Sequence, residues 1–197
     1  MSEIISMVIK MSSITLVYVV VTFLLWKSLK GRKIRIDEKI AVGVLYGILS
    51  VFSTHFGIDY VDMVINVRDL GPMAAGLFFD PLAGIIAGLI GGIERYIAGT
   101  YFGVGVYTTA ACSISTCMAG FFAAFLNKCI FKGEKPSIGY AFFMGSVIEV
   151  FHMYVVFLTH RDDMRMAFMV VRICSVPMIL FSGLGLMFCS VAIKKSL

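Results

Sequence analysis

The sequence predicts an all-α, polytopic membrane bundle of six clear transmembrane helices plus one short or broken helix, with the N-terminus outside and the C-terminus in the cytoplasm. Three observations predict it. Only 15% of the residues are charged, 59% are hydrophobic and the mean hydropathy is +0.94, whereas a soluble domain is about a quarter charged. Apolar runs of about 20 residues, the length that crosses a bilayer as a helix, follow one another with only short polar loops between them. The basic residues gather in alternate loops, the pattern left by retention of Lys and Arg on the cytoplasmic side.

The first helix occupies residues 11–29. Its basic cluster (Lys27, Lys30, Arg32, Lys33, Arg35 and Lys39) follows the apolar run instead of preceding it, so the segment reads as an uncleaved span and not a signal peptide. Residues 40–52 return outward as the second helix, and 53–62 form an outer loop without Lys or Arg. Residues 61–79 are interrupted by Asn66, Arg68, Asp69 and Pro72 and read as a short, broken or re-entrant helix, because irregular backbone survives at membrane depth only where protein or a polar cavity surrounds it. Asp80-Pro81 is a turn signal.

Residues 82–98 then run outward, 99–105 turn, and 106–126 run inward to Lys128, Lys132 and Lys135. Residues 139–158 go out, 160–165 form an outer loop, and 167–193 return to Lys194 and Lys195. This arrangement places 11 Lys or Arg in cytoplasmic loops and tail against two, Arg161 and Arg165, in outer loops. The net charge of +5 is accounted for by these loops and does not indicate a nucleic-acid partner.

No catalytic set emerges. Cys112, Cys117, Cys129, Cys174 and Cys189 show neither CxxC nor zinc spacing and read as buried thiols. Cys112 has no basic partner nearby in sequence. The three histidines are scattered, and no metal or cofactor is implied. What stands out is charge inside apolar sequence, which is costly and by default marks a functional site.

By the topology above, Arg68, Arg95, Cys112 and Ser115 all fall in the outer half of the membrane, with Asn66 just before Arg68. A guanidinium presents a rigid fork of donors that matches a carboxylate, so two of them near a thiol and a hydroxyl form a candidate clamp for a small carboxylic acid. The alternative is structural ion pairing, of Arg68 with Asp69 or Asp62 and of Arg95 with Glu94 or Glu149. Glu149 and His152 share a helix face at i, i+3 and are candidate cavity-lining residues; Glu149 is also the expected partner of Arg172. Gly84, Gly88, Gly91, Gly92 and Gly99 read as small-residue helix contacts.

Read in order, Asn66-Val67-Arg68, the glycines from Gly76 to Gly92, Glu94-Arg95-Tyr96, Ala111-Cys112-Ser113-Ile114-Ser115, the E-x-x-H-M of Glu149 to Met153, and Pro177-Met178 resemble the LytS-type five-transmembrane sensor region found ahead of bacterial histidine kinases and diguanylate cyclases. The similarity covers roughly residues 40–193, with the helix at 11–29 as an extra N-terminal element of one transmembrane sensor domain over 1–197. The resemblance implies a multi-pass protein of the bacterial cytoplasmic membrane that is not itself an enzyme. It further implies recognition of a small extracellular carboxylate of the pyruvate type by Arg68, Arg95, Cys112 and Ser115, a homodimer, and a cytoplasmic kinase or cyclase output. Ser182 stands where that family commonly has Asn, and no output domain follows within the 197 residues. The architecture is also similar to the substrate-binding membrane subunits of energy-coupling-factor transporters, the alternative reading. A sensor of the membrane itself, without a soluble ligand, is a third.

Overall fold

The computed structural model describes residues 2–60 and 62–195; Val61, where the broken segment was read to begin, and the C-terminal Leu197 lie outside the described residues. Long apolar runs become helices α1 Ser2–Leu29, α2 Ile36–His55, α4 Pro81–Phe102, α5 Thr109–Phe125, α6 Ile138–Thr159 and α7 Met164–Lys195. Between α2 and α4 stand a small antiparallel hairpin, β1 Ile58–Tyr60 and β2 Met63–Ile65, and the short helix α3 Leu70–Phe78. The hairpin was not expected in an all-α chain. It takes up part of the segment assigned to an outer loop and to the broken helix.

Among the described residues, five stretches are long and apolar enough to cross a membrane: Ile4–Leu29, Pro81–Phe102, Val106–Ile130, Ile138–Thr159 and Arg161–Lys195. The sixth expected span, α2, is 20 residues long, but Asp37, Glu38, Lys39 and His55 dilute its hydropathy. It still turns Ile40, Val44, Ile48 and Phe52 outward, an exposed apolar stripe at helical spacing.

The 9 residues of α3 are all buried. At 1.5 Å per residue they reach only about 13 Å, less than half of a hydrocarbon core of about 30 Å. This helix lies inside the bundle against α2, α4, α5 and α7, so its polar entry segment is surrounded by protein. Its last carbonyls are met by Asn127, whose Nδ2 donates to Gly76 O (2.9 Å) and Leu77 O (3.3 Å). That removes unsatisfied acceptors at a buried helix end.

The two ends of the bundle differ chemically. At the basic end Asp80 accepts from the Leu82 N–H with Pro81 in the first helical position, a pairing suited to a helix start, and Lys39 reaches Asp80 at 2.7 Å. Lys135 sits over the Trp26 ring and Ser190 donates to Pro136 O, joining α1 and α7 to the same end. At the opposite end Lys10 donates to Gly57 O and His160 stacks on Tyr107.

Glycines let these helices touch, as expected of small-residue packing. A Cβ on Gly84 would lie 2.7 Å from Gly76 Cα, one on Gly88 3.0 Å from Gly120 Cα, and one on Gly43 2.8 Å from Ile86 Cβ. Gly84→Ala therefore wedges α4 away from α3, with an expected loss of about 1–3 kcal/mol by overpacking. A lowered midpoint of thermal unfolding in detergent is the expected result, and an unchanged midpoint would show that the contact yields freely.

Candidate functional site

Buried strand β2 leads into Asn66, whose Oδ1 accepts from the Arg68 N–H (3.0 Å) while its Nδ2 donates to Val64 O (3.4 Å). Asn66 thus shapes the turn, the usual service of this side chain next to its own backbone. Ser50 Oγ donates to Arg68 O at 3.0 Å, fixing the segment from α2. The Arg68 side chain is 1% exposed; Nε donates to Thr116 Oγ1 (2.7 Å) and Nη1 to Thr54 Oγ1 (3.2 Å). Its Nη2 is buried without a partner.

A chain of polar contacts extends from there across the bundle. Asp69 Oδ1 lies 3.8 Å from Arg68 Nε and accepts from Thr116 Oγ1 at 2.6 Å. Its Oδ2 faces His152 Nδ1 at 3.0 Å, and the same nitrogen is 3.4 Å from Glu149 Oε2. Glu149 Oε1 accepts from Ser182 Oγ at 2.7 Å. All of these side chains are buried, so α3, α5, α6 and α7 are joined by one network in surroundings where an unpaired polar group is expensive.

Arg95 is fully buried on α4. Its Nη1 donates to Val104 O (2.8 Å) and Nη2 to Gly105 O (2.7 Å). These carbonyls turn inward because Gly103 (φ 71°) and Gly105 (φ 52°) adopt the left-handed region, which side chains disfavour. A Cβ on Gly105 would also lie 2.9 Å from Arg95 Nη2. Among the described residues no carboxylate lies within 4 Å of Arg95; Glu94 instead turns to His55 at 2.6 Å. Arg95 Nε, like Arg68 Nη2, is buried and unpartnered.

Arg95 Nη2 also reaches Thr108 Oγ1 at 3.4 Å, and Cys112, 4% exposed, stands between Thr108 and the Thr116 that holds Arg68, about one helical turn from each. Cys112, His152, Thr108, Met63, Val64 and Cys174 help line a void of about 10 Å³, roughly the space of one water molecule. Ser115, three residues along α5, is buried with an unpartnered hydroxyl.

The structure therefore sets Arg68 against Thr116 and Arg95 against Thr108, on either side of Cys112 along α5, with His152 lining the same void as Cys112 and Glu149 behind His152. The sequence reading placed no basic residue near Cys112, whereas His152 from α6 lines the same small void. It also missed Thr54 and Thr116, which hold Arg68, and Asp69 as the centre of the network. Of the ion pairs considered, Asp69 stands beside Arg68, whereas neither Glu94 nor Glu149 pairs with Arg95. The expected Arg172–Glu149 pair is not formed: Arg172 is exposed on α7, and Glu149 is taken by Ser182 and His152. Donor atoms of Asp69, Glu149 and His152 lie within 4.8 Å of one another, a spacing that would admit a cation, but the Arg68 guanidinium already brings positive charge to Asp69.

Comparison with known proteins identifies the setting of this site. The sequence matches the family described as 5TMR of 5TMR-LYT over residues 22–196. The sensor histidine kinase YpdA of Escherichia coli K12 is 30% identical over 145 residues, covering 74% of this chain and 24% of the relative. The sensor histidine kinase BtsS of the same strain is 22% identical over 162 residues, covering 76% and 28%. The sensor protein LytS of Staphylococcus epidermidis RP62A is 24% identical over 189 residues, covering 87% and 31%. The chain thus spans between about a quarter and a third of the length of these relatives. No solved structure matches it. The relatives are sensors, which does not favour the transporter-subunit alternative, and five apolar spans fit a multi-pass protein of the bacterial cytoplasmic membrane. The chain belongs to the 5TMR of 5TMR-LYT family of membrane sensory input domains.

Proposed function

We propose that this chain is a single transmembrane sensor domain whose buried pair Arg68 and Arg95 binds a small carboxylate of the pyruvate type from the outer side. The carrying observation is Arg95, a fully buried guanidinium without a carboxylate partner. A buried charge is stable only when paired and hydrogen-bonded, and an incoming carboxylate completes both Arg95 and the free Nη2 of Arg68. Cys112 and Ser115 flank the guest. In this reading α2 is a sixth span, α3 is re-entrant, the basic end faces the cytoplasm and the hairpin end faces out; the 11-to-two distribution of basic residues supports it.

Thermal-shift measurements with pyruvate, lactate, propionate and acetate on the purified protein test the reading. Stabilisation that saturates with at least one of these acids is expected, and no shift with any of them would overturn it.

Signal leaves through α7, which the site reaches by the Glu149–Ser182 contact, toward a cytoplasmic histidine kinase of the kind named in the relatives; the unit is a homodimer. A ligand drives such a change only through different affinities for two helix arrangements. In a kinase-linked form, Ser182→Ala is expected to leave acid affinity nearly intact while changing the coupling to output by about 0.5–2 kcal/mol. An unaltered dose–response curve in an autophosphorylation assay would remove this route. Cross-linking in membranes tests the dimer.

A further inference from the structure

Among the described residues, the buried side chains of Arg, Lys, Asp, Glu and His are Arg68, Arg95, Asp69, Glu149 and His152. A guanidinium keeps its proton throughout, and uncompensated charge away from water is costly. The two arginines therefore cancel the two carboxylates when the imidazole is neutral. A proton passed from Cys112 to His152 would leave that sum unchanged. A carboxylate entering between the arginines brings one further negative charge and upsets it.

A place for a compensating proton is already built. His152 Nδ1 stands 3.0 Å from Asp69 Oδ2 and 3.4 Å from Glu149 Oε2, so one ring nitrogen faces two carboxylates. Asp69 is otherwise well served, by Thr116 Oγ1 at 2.6 Å and by Arg68 Nε at 3.8 Å. Glu149 Oε1 accepts from Ser182, while Oε2 is buried without a hydrogen-bond partner. The surrounding charged or ionisable groups are Arg68 and Asp69 before α3, Cys112 on α5 and Cys174 on α7; both thiols line the same void as His152. From β2 only the uncharged Met63 and Val64 reach that void, and Arg95 on α4 lies beyond Thr108.

We propose that each monocarboxylate bound between Arg68 and Arg95 brings one proton to the Glu149–His152 pair, so that the sensor responds to the acid and to acidity together. This rests on the carboxylate-binding reading and adds a regulator to the same site. No bond of the guest is made or broken: carboxylate and proton enter and leave together, and in sum the domain takes up the undissociated acid. Since Glu149 also holds Ser182 on α7, the proton arrives at the contact through which the signal leaves.

The test is calorimetric titration, in HEPES and in Tris, which protonate with different heats, using whichever of pyruvate, lactate, propionate and acetate stabilises the protein most. The expected result is a buffer-dependent heat equal to uptake of about one proton per acid bound, with affinity falling about tenfold per pH unit across neutral pH. In Glu149→Gln one of the two negative charges is gone and the guest itself completes the cancellation. Proton uptake there should fall to near zero, and affinity should change by less than about twofold over the same range. Equal heats in both buffers and a flat pH profile for the wild type would overturn the proton linkage while carboxylate binding stands. A full proton still taken up by Glu149→Gln would overturn its assignment to this pair. If none of the acids binds, both readings fall. Should Glu149→Gln not fold, the wild-type titrations alone decide.

Discussion

Arg95→Ala is expected to remain folded and to lose carboxylate binding, whereas Arg68→Ala is expected to lose binding and stability together. The difference lies in what each guanidinium leaves behind. Arg95 donates to two backbone carbonyls and neutralises no carboxylate, so its removal frees two acceptors and relieves a buried charge. Arg68 stands 3.8 Å from Asp69 and holds Thr54 and Thr116; its removal leaves a buried carboxylate short of its neighbouring cation. Breaking a buried pair from one side costs about 3–5 kcal/mol. For the ligand, truncating one partner of a buried charge contact costs at least about 2 kcal/mol, or roughly 30-fold in affinity. Arg95→Lys should not restore binding, since an ammonium lacks the planar fork that meets Val104 O, Gly105 O and a carboxylate at once. Unfolding midpoints of the two alanine variants side by side check the split. Equal losses of stability would mean that Arg95 is structural in the same sense as Arg68.

Asp69→Ala should be among the most disruptive single changes in the chain. Asp69 accepts from Thr116, faces His152 and lies beside Arg68, so its loss strips three buried groups, one each on α5, on α6 and in the turn before α3. The expected destabilisation is about 3–5 kcal/mol. Asp69→Asn should cost less, because its amide oxygen still accepts from Thr116, although the NH2 that replaces Oδ2 can no longer accept from His152 Nδ1. Reduced yield of folded protein and a lower midpoint for Asp69→Ala, with partial recovery in Asp69→Asn, are the outcomes to look for. Equal midpoints for Asp69→Ala and the wild type would show that Arg68 and His152 do not depend on it.

The helices were legible because a bilayer demands long apolar runs. The hairpin was not, since strands of three residues leave no periodicity to read beside the polar residues 66–69. The start of α7 at Met164 was hidden as well: the Met166 N–H is met by Asp163 Oδ1 at 3.2 Å, an interaction that sequence alone does not separate from an ordinary loop aspartate. Within the site, Arg68 and Arg95 declared themselves by the cost of charge in apolar sequence. Thr54 and Thr116 did not, because threonine in a membrane helix commonly bonds its own preceding turn, as Thr116 also does to Cys112 O. That Cys112 and His152, 40 residues apart in sequence, line one void depends on the packing of α5 against α6 and on Asp69 holding the imidazole. No local pattern encodes it.

The most direct measurement is a calorimetric titration of a short monocarboxylate, pyruvate first, into the purified domain and into Arg95→Ala under the same conditions. Saturable binding of one acid per chain to the wild type, and no heat of binding to an Arg95→Ala protein that still unfolds cooperatively, is the predicted result. Equal heats for the two proteins would contradict the account, because the buried guanidinium without an acidic partner would then not be what the anion comes to satisfy.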